Sequence, residues 1–198
     1  RGNVAVFDTA STVPPERFAY AVNPLLPEDI VVVGAEEVPQ DWHPRYQNSV
    51  KTYEYHILNR EMPDPLRRRE SWHVSFPLDL DSMREAAAYL RGEHDFRSFC
   101  SIHTGVKTTV RTIYTLDIDR SGNLITIRIS GNGFLYNMVR IIAGTLVEVG
   151  RGFRTPENVR DILNAEEREK AGATAPPQGL VLVSIAYPER GDAEQGVN

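Results

Sequence analysis

The sequence predicts an α+β fold, because hairpin patterns and helical patterns are mixed along one chain. Two alternating segments, Val110–Asp119 and Leu124–Ile129, flank the four residues Arg120–Asn123, and such a connection is typical of a β-hairpin. The following segment, Gly131–Gly150, has the pattern of a glycine-flanked turn followed by a nearly all-apolar helix. Hairpins interspersed with helices favour an α+β arrangement over a doubly wound parallel sheet.

Residue patterning assigns the other elements in chain order. The first part of the chain is predicted to be βαβ, with strand Asn3–Phe7, a helix from Pro14-Pro15 to Asn23-Pro24, and the apolar strand Ile30–Val33. After the connector Pro39–Pro44, strands are predicted at Val50–Leu58, Ser71–Phe76 and Leu180–Tyr187. Helices are predicted at Asp81–Leu90 and from Thr155-Pro156 to Asn164.

Composition favours an intracellular globular protein. The chain has 198 residues, 41% of them hydrophobic and 25% charged, so it can bury a substantial core. Its single cysteine excludes an internal disulfide and indicates a reducing compartment. No apolar segment approaches the roughly 20 residues of a membrane span, and no secretory leader is visible. The first residue is Arg1 rather than methionine, which suggests that further sequence lies upstream.

The charge is unevenly distributed. The net charge is −5, yet residues 97–154 contain eight Lys or Arg and three Asp or Glu, so this segment carries +5 and the remainder −10. Such asymmetry is what a surface for a polyanion would produce. Chance clustering of solvated charges is the alternative, and composition alone does not choose between them.

One arginine stands out within the apolar helix. The positions Leu135, Met138, Val139, Ile142, Leu146 and Val149 form one buried stripe at helical spacing. Arg140 lies on the other side, among Ala143, Gly144, Val147 and Tyr136, so that side is also expected to contact protein. A buried arginine keeps its proton and requires an acceptor or a carboxylate. Because Glu148 is two turns away, the partner must come from elsewhere in the fold, which suggests an active site.

Two tyrosines on the strand Val50–Leu58 are candidates for contact with a base. Tyr53 and Tyr55 share one face with Lys51, and aromatic side chains near cations can stack on a splayed-out nucleobase. The alternative is that both rings simply pack within the core or across strands. Spacing alone favours the packing interpretation.

Other catalytic motifs find little support. His94, Cys100 and His103 lack a second ligand pair, so a zinc site is not predicted. No glycine-framed nucleophile elbow accompanies the serines. The turn Gly131–Gly133 precedes a helix and is able to cradle phosphate, but no Lys-Ser/Thr pair follows it, so it is not a P-loop.

Six segments in order resemble the TruA family of tRNA pseudouridine synthases, and the resemblance extends from about Asn3 to Pro188. The segments are Trp42–Tyr46 (WHPRY), Lys51–Tyr55 (KTYEY), Gly92–Phe99 (GEHDFRSF), Arg111–Ile113 (RTI), Gly131–Arg140 (GNGFLYNMVR) and Thr174–Leu180 (TAPPQGL). The chain departs from the family pattern at Pro44, where alanine is usual. It also departs at Glu54, a position that often faces a basic residue in the family.

The resemblance implies a pseudouridine synthase fold with an extended antiparallel or mixed sheet, flanking helices, and two ferredoxin-like α/β halves around a cleft. It implies a cytoplasmic homodimer that binds tRNA and isomerises uridines of the anticodon stem-loop, around tRNA positions 38–40, without cofactor or metal. Arg140 and Tyr53 would be catalytic residues. The residues that would bind the substrate are Tyr53, Arg45, Lys51, Asn132 and Phe134.

The family's catalytic aspartate belongs to a Gly-Arg-Thr-Asp motif that would lie upstream of Arg1. The resemblance therefore divides the chain into the remainder of an N-terminal domain (1–44), a C-terminal domain (45–188) and a polar tail (189–198). The chain as given is expected to be inactive on its own. A non-catalytic RNA-binding module with the same fold, or an inactive fragment, remains the alternative.

Overall fold

A computed structural model describes residues 2–101 and 106–188 of the chain. His103 and the predicted tail 189–198 lie outside these residues. The chain forms two compact units, one comprising Val4–Gln47 and the other comprising Asn48 onward together with the first residues of the chain. No described helix has both the length and the apolar character needed to cross a membrane.

The smaller unit confirms the predicted helix but neither predicted strand. Helix α1 spans Pro15–Val22 and continues into a 3-10 turn at Asn23–Leu25. The strands predicted at Asn3–Phe7 and Ile30–Val33 are wrong, because a strand requires a hydrogen-bonded neighbour and neither segment has one among the described residues. The side chain of Asn23 instead holds Val32. The Asn23 amide nitrogen donates to the Val32 carbonyl at 2.9 Å, and the Asn23 amide oxygen accepts from the Val32 N–H at 2.8 Å.

The larger unit is built on a mixed sheet. Its described strands are β1 (Val50–Asn59), β2 (Trp72–Val74), β3 (Gly92–Asp95), β4 (Val110–Ser121), β5 (Leu124–Gly131) and β6 (Leu180–Ala186). They are ordered β2-β1-β5-β4-β3, and β6 pairs with the first half of β1. The pair β1–β2 is parallel and the other pairs are antiparallel. The predicted hairpin is confirmed, whereas β3 was not predicted, because its four residues show no apolar alternation.

Three helices complete the core of this unit, and they confirm the predicted helices to within a few residues. They are α2 (Leu80–Ala88), α3 (Met138–Gly150) and α4 (Glu157–Ala165). The predicted inner face of α2 is fully buried at Met83, Ala86, Ala87 and Leu90. The α+β fold class predicted from the sequence is therefore correct.

Helix α3 is buried on both sides. Beyond the predicted stripe, Ala143, Gly144, Thr145 and Val147 are also buried. The segment 171–176 covers this second side: Ala175 donates its N–H to the Arg140 carbonyl at 3.1 Å, and Gly172 donates its N–H to the Thr145 hydroxyl at 2.9 Å. A methyl group at Gly144 would overlap the carbonyl oxygen of Ala173, so glycine permits this approach.

Gly144→Ala should therefore destabilise the protein, although alanine is normally the better residue in a helix by about 1 kcal/mol. Forcing a methyl group into a closed contact typically costs 1–3 kcal/mol, so after the gain in helix propensity we expect a net loss of up to about 2 kcal/mol in the free energy of unfolding, measured by urea denaturation. The matched control is Gly34→Ala, where a methyl group meets nothing within 4 Å. Equal stability of the two variants would contradict the close packing at Gly144.

Candidate active site

The candidate site lies at the end of the sheet where β1 begins and β5 ends. Lys51 of β1, Gly131 of β5 and Ile113 of β4 are directly opposite one another across the three strands. Tyr53 is the next residue on the same face of β1 and stands opposite Ile129. This face is the one that carries the core residues Tyr55 and Ile57 further along the strand, so the site borders the core.

Tyr53 is half-buried beside a second aromatic ring. Its ring packs edge-on against Phe134, with the centroids 5.2 Å apart and the planes at 84°. Burial raises the pKa of the Tyr53 hydroxyl above its ordinary value. The side chain therefore remains a neutral phenol at physiological pH, and the two rings form an aromatic corner at the border of the core.

Tyr55 is a core residue, as the packing interpretation predicts. Its side chain is fully buried, and its hydroxyl donates to the carbonyl of Pro176 at 2.7 Å. Burial raises the pKa of Tyr55, and the nearby positive charge of Arg140 opposes this shift in part. The two tyrosines thus differ: Tyr55 fastens the 171–179 segment to β1, and Tyr53 remains partly accessible.

Arg140 reaches the same segment from helix α3. Its Nε donates to the Ala175 carbonyl at 2.7 Å, one residue before the carbonyl that Tyr55 binds. Its Nη1 donates to the Asn137 side-chain oxygen at 2.9 Å. Both acceptors are neutral, and no described carboxylate forms an ion pair with this guanidinium. The charge of Arg140 is therefore held in place without being neutralised by a described residue.

Asn137 connects Arg140 to a second part of the fold. It precedes α3 in the left-handed conformation, with φ at 61°, which asparagine tolerates better than most residues. Its oxygen accepts from Arg140, and its amide donates to the Ser101 hydroxyl at 2.9 Å. Ser101 in turn donates its N–H to the Tyr136 carbonyl at 3.2 Å. Sequence reasoning did not identify Asn137, because an asparagine directly before a helix is an ordinary N-cap and gives no separate signal of function.

The turn between β5 and α3 is packed tightly against β4. Asn132 donates its N–H to the Thr112 carbonyl at 3.1 Å, and its side-chain oxygen accepts from the Thr112 N–H at 2.9 Å. A methyl group at Gly131 would lie 2.6 Å from the Thr112 carbonyl oxygen, so only glycine allows this spacing. The turn therefore holds Phe134 against Tyr53.

The structure brings together five of the six predicted site residues. Lys51, Tyr53, Asn132 and Phe134 share the end of the sheet, and Arg140 joins them through the 171–179 segment. Arg45 belongs to the smaller unit, where it is exposed and donates its backbone N–H to the His43 ring at 3.1 Å. Glu54 is on the opposite face of β1, where it accepts from Arg128 and contacts His56.

The described residues hold no group of three or more His, Cys, Asp or Glu side chains arranged for a metal ion. Among the residues considered for zinc, the His94 ring bonds to the Arg91 carbonyl at 2.8 Å, and the buried Cys100 thiol donates to the Ser101 carbonyl at 3.4 Å. The chemistry available at the site is thus an aromatic surface, a phenol and a guanidinium.

Comparison with known proteins identifies the chain. Residues 86–188 match the family described as tRNA pseudouridine synthase. A Brevibacillus brevis protein named tRNA pseudouridine synthase A is 50% identical over 187 residues, covering 94% of this chain and 77% of the relative. A protein of that name from Thermoanaerobacter sp. is 48% identical over 93% of this chain, and one from Bacillus subtilis is 46% identical over 94% of it. Each match covers 75% of the relative.

These matches define the class of protein, a tRNA pseudouridine synthase and hence an isomerase. Within that class the chain belongs to the TruA family, and the resemblance inferred from its motifs is confirmed. The alternative of a non-catalytic RNA-binding module is not favoured. The chain spans about three quarters of the length of these relatives.

Proposed function

We propose that this protein converts uridine to pseudouridine in the anticodon stem-loop of tRNA, around positions 38–40. The observation that carries the proposal is a partly buried, unneutralised Arg140 that bonds to Ala175 beside the Pro176 carbonyl held by Tyr55, two residues along β1 from Tyr53 of the aromatic corner. The reaction breaks the N1–C1′ bond, forms a C5–C1′ bond and moves a proton from C5 to N1. Atoms are conserved, and no oxidant or reductant takes part.

Access to the target uridine requires that the base leave its stack. Extrusion costs a few kcal/mol, which stacking and backbone contacts can offset. Tyr53 and Phe134 supply the aromatic surface, and a stacked base is typically worth about 1–3 kcal/mol. Lys51 and Asn132 border this surface, and Arg45 is proposed as a further RNA contact from the smaller unit.

Arg140 is proposed to orient the catalytic aspartate of the family. That aspartate would come from a Gly-Arg-Thr-Asp motif upstream of Arg1; the matched region covers 77% and 75% of two of the relatives. The neutral acceptors at Ala175 and Asn137 leave the positive charge available to a carboxylate. An arginine beside a carboxylate lowers its pKa and keeps it ionised for attack or for proton abstraction.

Tyr53 is proposed to pack on the flipped base and to assist removal of the C5 proton. Because burial raises the pKa of its hydroxyl, a preformed phenolate is disfavoured at physiological pH. The hydroxyl would therefore act as a hydrogen-bonded relay, accepting one proton as it donates another. We also infer a cytoplasmic homodimer; the single cysteine agrees with a reducing compartment.

The function is tested by turnover of tRNA with uridine at positions 38–40. The full-length protein, which would include the upstream aspartate, should form pseudouridine, measured by mass spectrometry of nuclease digests. The 198-residue chain should form none. Turnover by the short chain would contradict the upstream aspartate, and absence of turnover by both, with tRNA bound, would contradict the proposed activity.

Tyr53→Phe in the full-length protein should keep the ring and lose the relay. We expect tRNA affinity to stay within a few-fold, while the rate falls by about 10²–10⁴, as for loss of a general base.

Since burial raises the pKa of the Tyr53 hydroxyl, this group loses its proton only above about pH 10. Its ionisation should therefore cause no alkaline fall in the wild-type rate below that pH. In that alkaline range the folded state holds this proton more tightly than the unfolded chain does, so stability should decline as pH rises, and less so in Tyr53→Phe. A wild-type rate of turnover in Tyr53→Phe would mean that Tyr53 has only a packing role.

Arg140→Lys should retain little activity, because the lysine ammonium cannot reproduce the planar fork that bonds to Ala175 and Asn137 while also facing a carboxylate. We expect a loss of turnover of at least about 10² with little change in tRNA affinity. A double-mutant cycle between Arg140 and the upstream aspartate should show strongly non-additive losses. Additive losses would mean that the two residues do not interact.

A further inference from the structure

We propose that Arg111 and the turn Asn132–Phe134 form a subsite that binds a phosphate of the RNA beside Tyr53. The inference rests on the proposed function, because it assigns to the RNA substrate a contact that neither Tyr53 nor Arg140 supplies. The Gly131–Gly133 turn precedes a helix and is able to cradle phosphate, and the fold places an arginine against that turn.

Arg111 lies on the same face of the sheet as the active-site residues. It precedes Ile113 by two residues on β4, and Ile113 is aligned with Gly131 and Lys51 across the sheet. A methyl group at Gly133 would be 3.6 Å from Nε and 3.7 Å from Cδ of Arg111, so the side chain runs alongside the glycine. The arginine and the turn are therefore in contact.

The Arg111 guanidinium is held in place by hydrogen bonds from only one of its three nitrogens. Its Nη1 donates to the carbonyls of Thr108 at 3.0 Å and Val110 at 2.6 Å. Within residues 2–101 and 106–188, no carboxylate pairs with it, and its Nε and Nη2 have no acceptor. A planar fork with one nitrogen anchored and two donors available is well suited to a phosphate.

The turn adds backbone donors. Asn132 uses both its N–H and its side-chain oxygen on Thr112, so the turn is fixed before any ligand arrives. The N–H groups of Gly133 and Phe134 donate to no described acceptor. Two adjacent N–H groups beside an arginine are donors that an anion can use, and the missing side chain at Gly133 allows close approach.

The position of Phe134 indicates which anion is bound. This residue belongs to the turn and also packs on Tyr53, so an anion at Arg111 is adjacent to a base stacked on the aromatic corner. A base and a phosphate bound side by side are parts of one nucleotide or of neighbours in a strand. The ligand class is thus a phosphodiester next to the flipped uridine, and free phosphate is the alternative source of the same chemistry.

The test combines protein and RNA changes in the full-length enzyme. Wild type, Arg111→Gln and Arg111→Lys are assayed with anticodon stem-loops whose phosphodiesters flanking the target uridine are replaced, one at a time, by neutral methylphosphonates. The control variant is Arg120→Gln, which removes an exposed arginine that also donates to a backbone carbonyl. Arg120 is nine residues further along β4, or about 30 Å away.

At one linkage, the neutral substitution should lower wild-type kcat/KM about tenfold and the kcat/KM of Arg111→Gln less than twofold. Arg111→Gln should also reduce the salt dependence of tRNA binding by roughly one phosphate, a change of about 0.7–0.9 in the logarithmic slope, and Arg120→Gln should not. The wild-type loss with modified RNA does not depend on how well a variant folds.

Equal methylphosphonate losses in wild type and Arg111→Gln at every linkage would overturn the subsite. So would inhibition by inorganic phosphate that Arg111→Gln abolishes, without any effect of methylphosphonates, since the site would then bind a free anion only. A wild-type enzyme that bound but did not isomerise the unmodified stem-loop would overturn the proposed function, and the subsite with it.

Discussion

The close approach between helix α3 and the 171–176 segment determines where Arg140 lies. Gly144 allows the backbone of Ala173 to reach the helix surface, and Thr145 and Arg140 bond to the segment on either side. Glu148 extends the same contact one turn further by accepting from the Ala173 N–H at 3.1 Å. With the segment fixed along the helix, the Ala175 carbonyl meets Nε of Arg140 and the next carbonyl meets Tyr55.

This packing resolves the conflict that a charged residue creates in an apolar helix. Burying an arginine without acceptors costs several kcal/mol, and pairing it with a fixed carboxylate would cancel the charge. Ala175 and Asn137 satisfy two of its donors with neutral oxygens, so the guanidinium is ordered and still positive. Such an arrangement suits a residue whose carboxylate partner belongs to the catalytic machinery.

The turn that follows β5 also positions site residues, and it does so largely through backbone contacts. Asn132 and the side-chain-free Gly131 hold the turn against β4, which brings Phe134 to Tyr53 and Gly133 to Arg111. Aromatic surface, phenol and cations thus converge at one end of one sheet. A nucleotide offers matching features, since its base stacks and its phosphate carries the charge.

The sequence by itself determined the α+β class, the hairpin and the bounds of α2, α3 and α4 to within a few residues, because these elements have strong periodicity and clear turn residues. It also identified the family, since six of the family's motifs occur in order along the chain. It did not predict β3, and it predicted strands at Asn3–Phe7 and Ile30–Val33 that do not form, because pairing depends on a neighbour and not on local composition. Only the tertiary structure separated core Tyr55 from accessible Tyr53, and only it supplied the neutral partners of Arg140. Those partners come from residues 3 and 35 positions away, and such contacts are decided by how the elements pack.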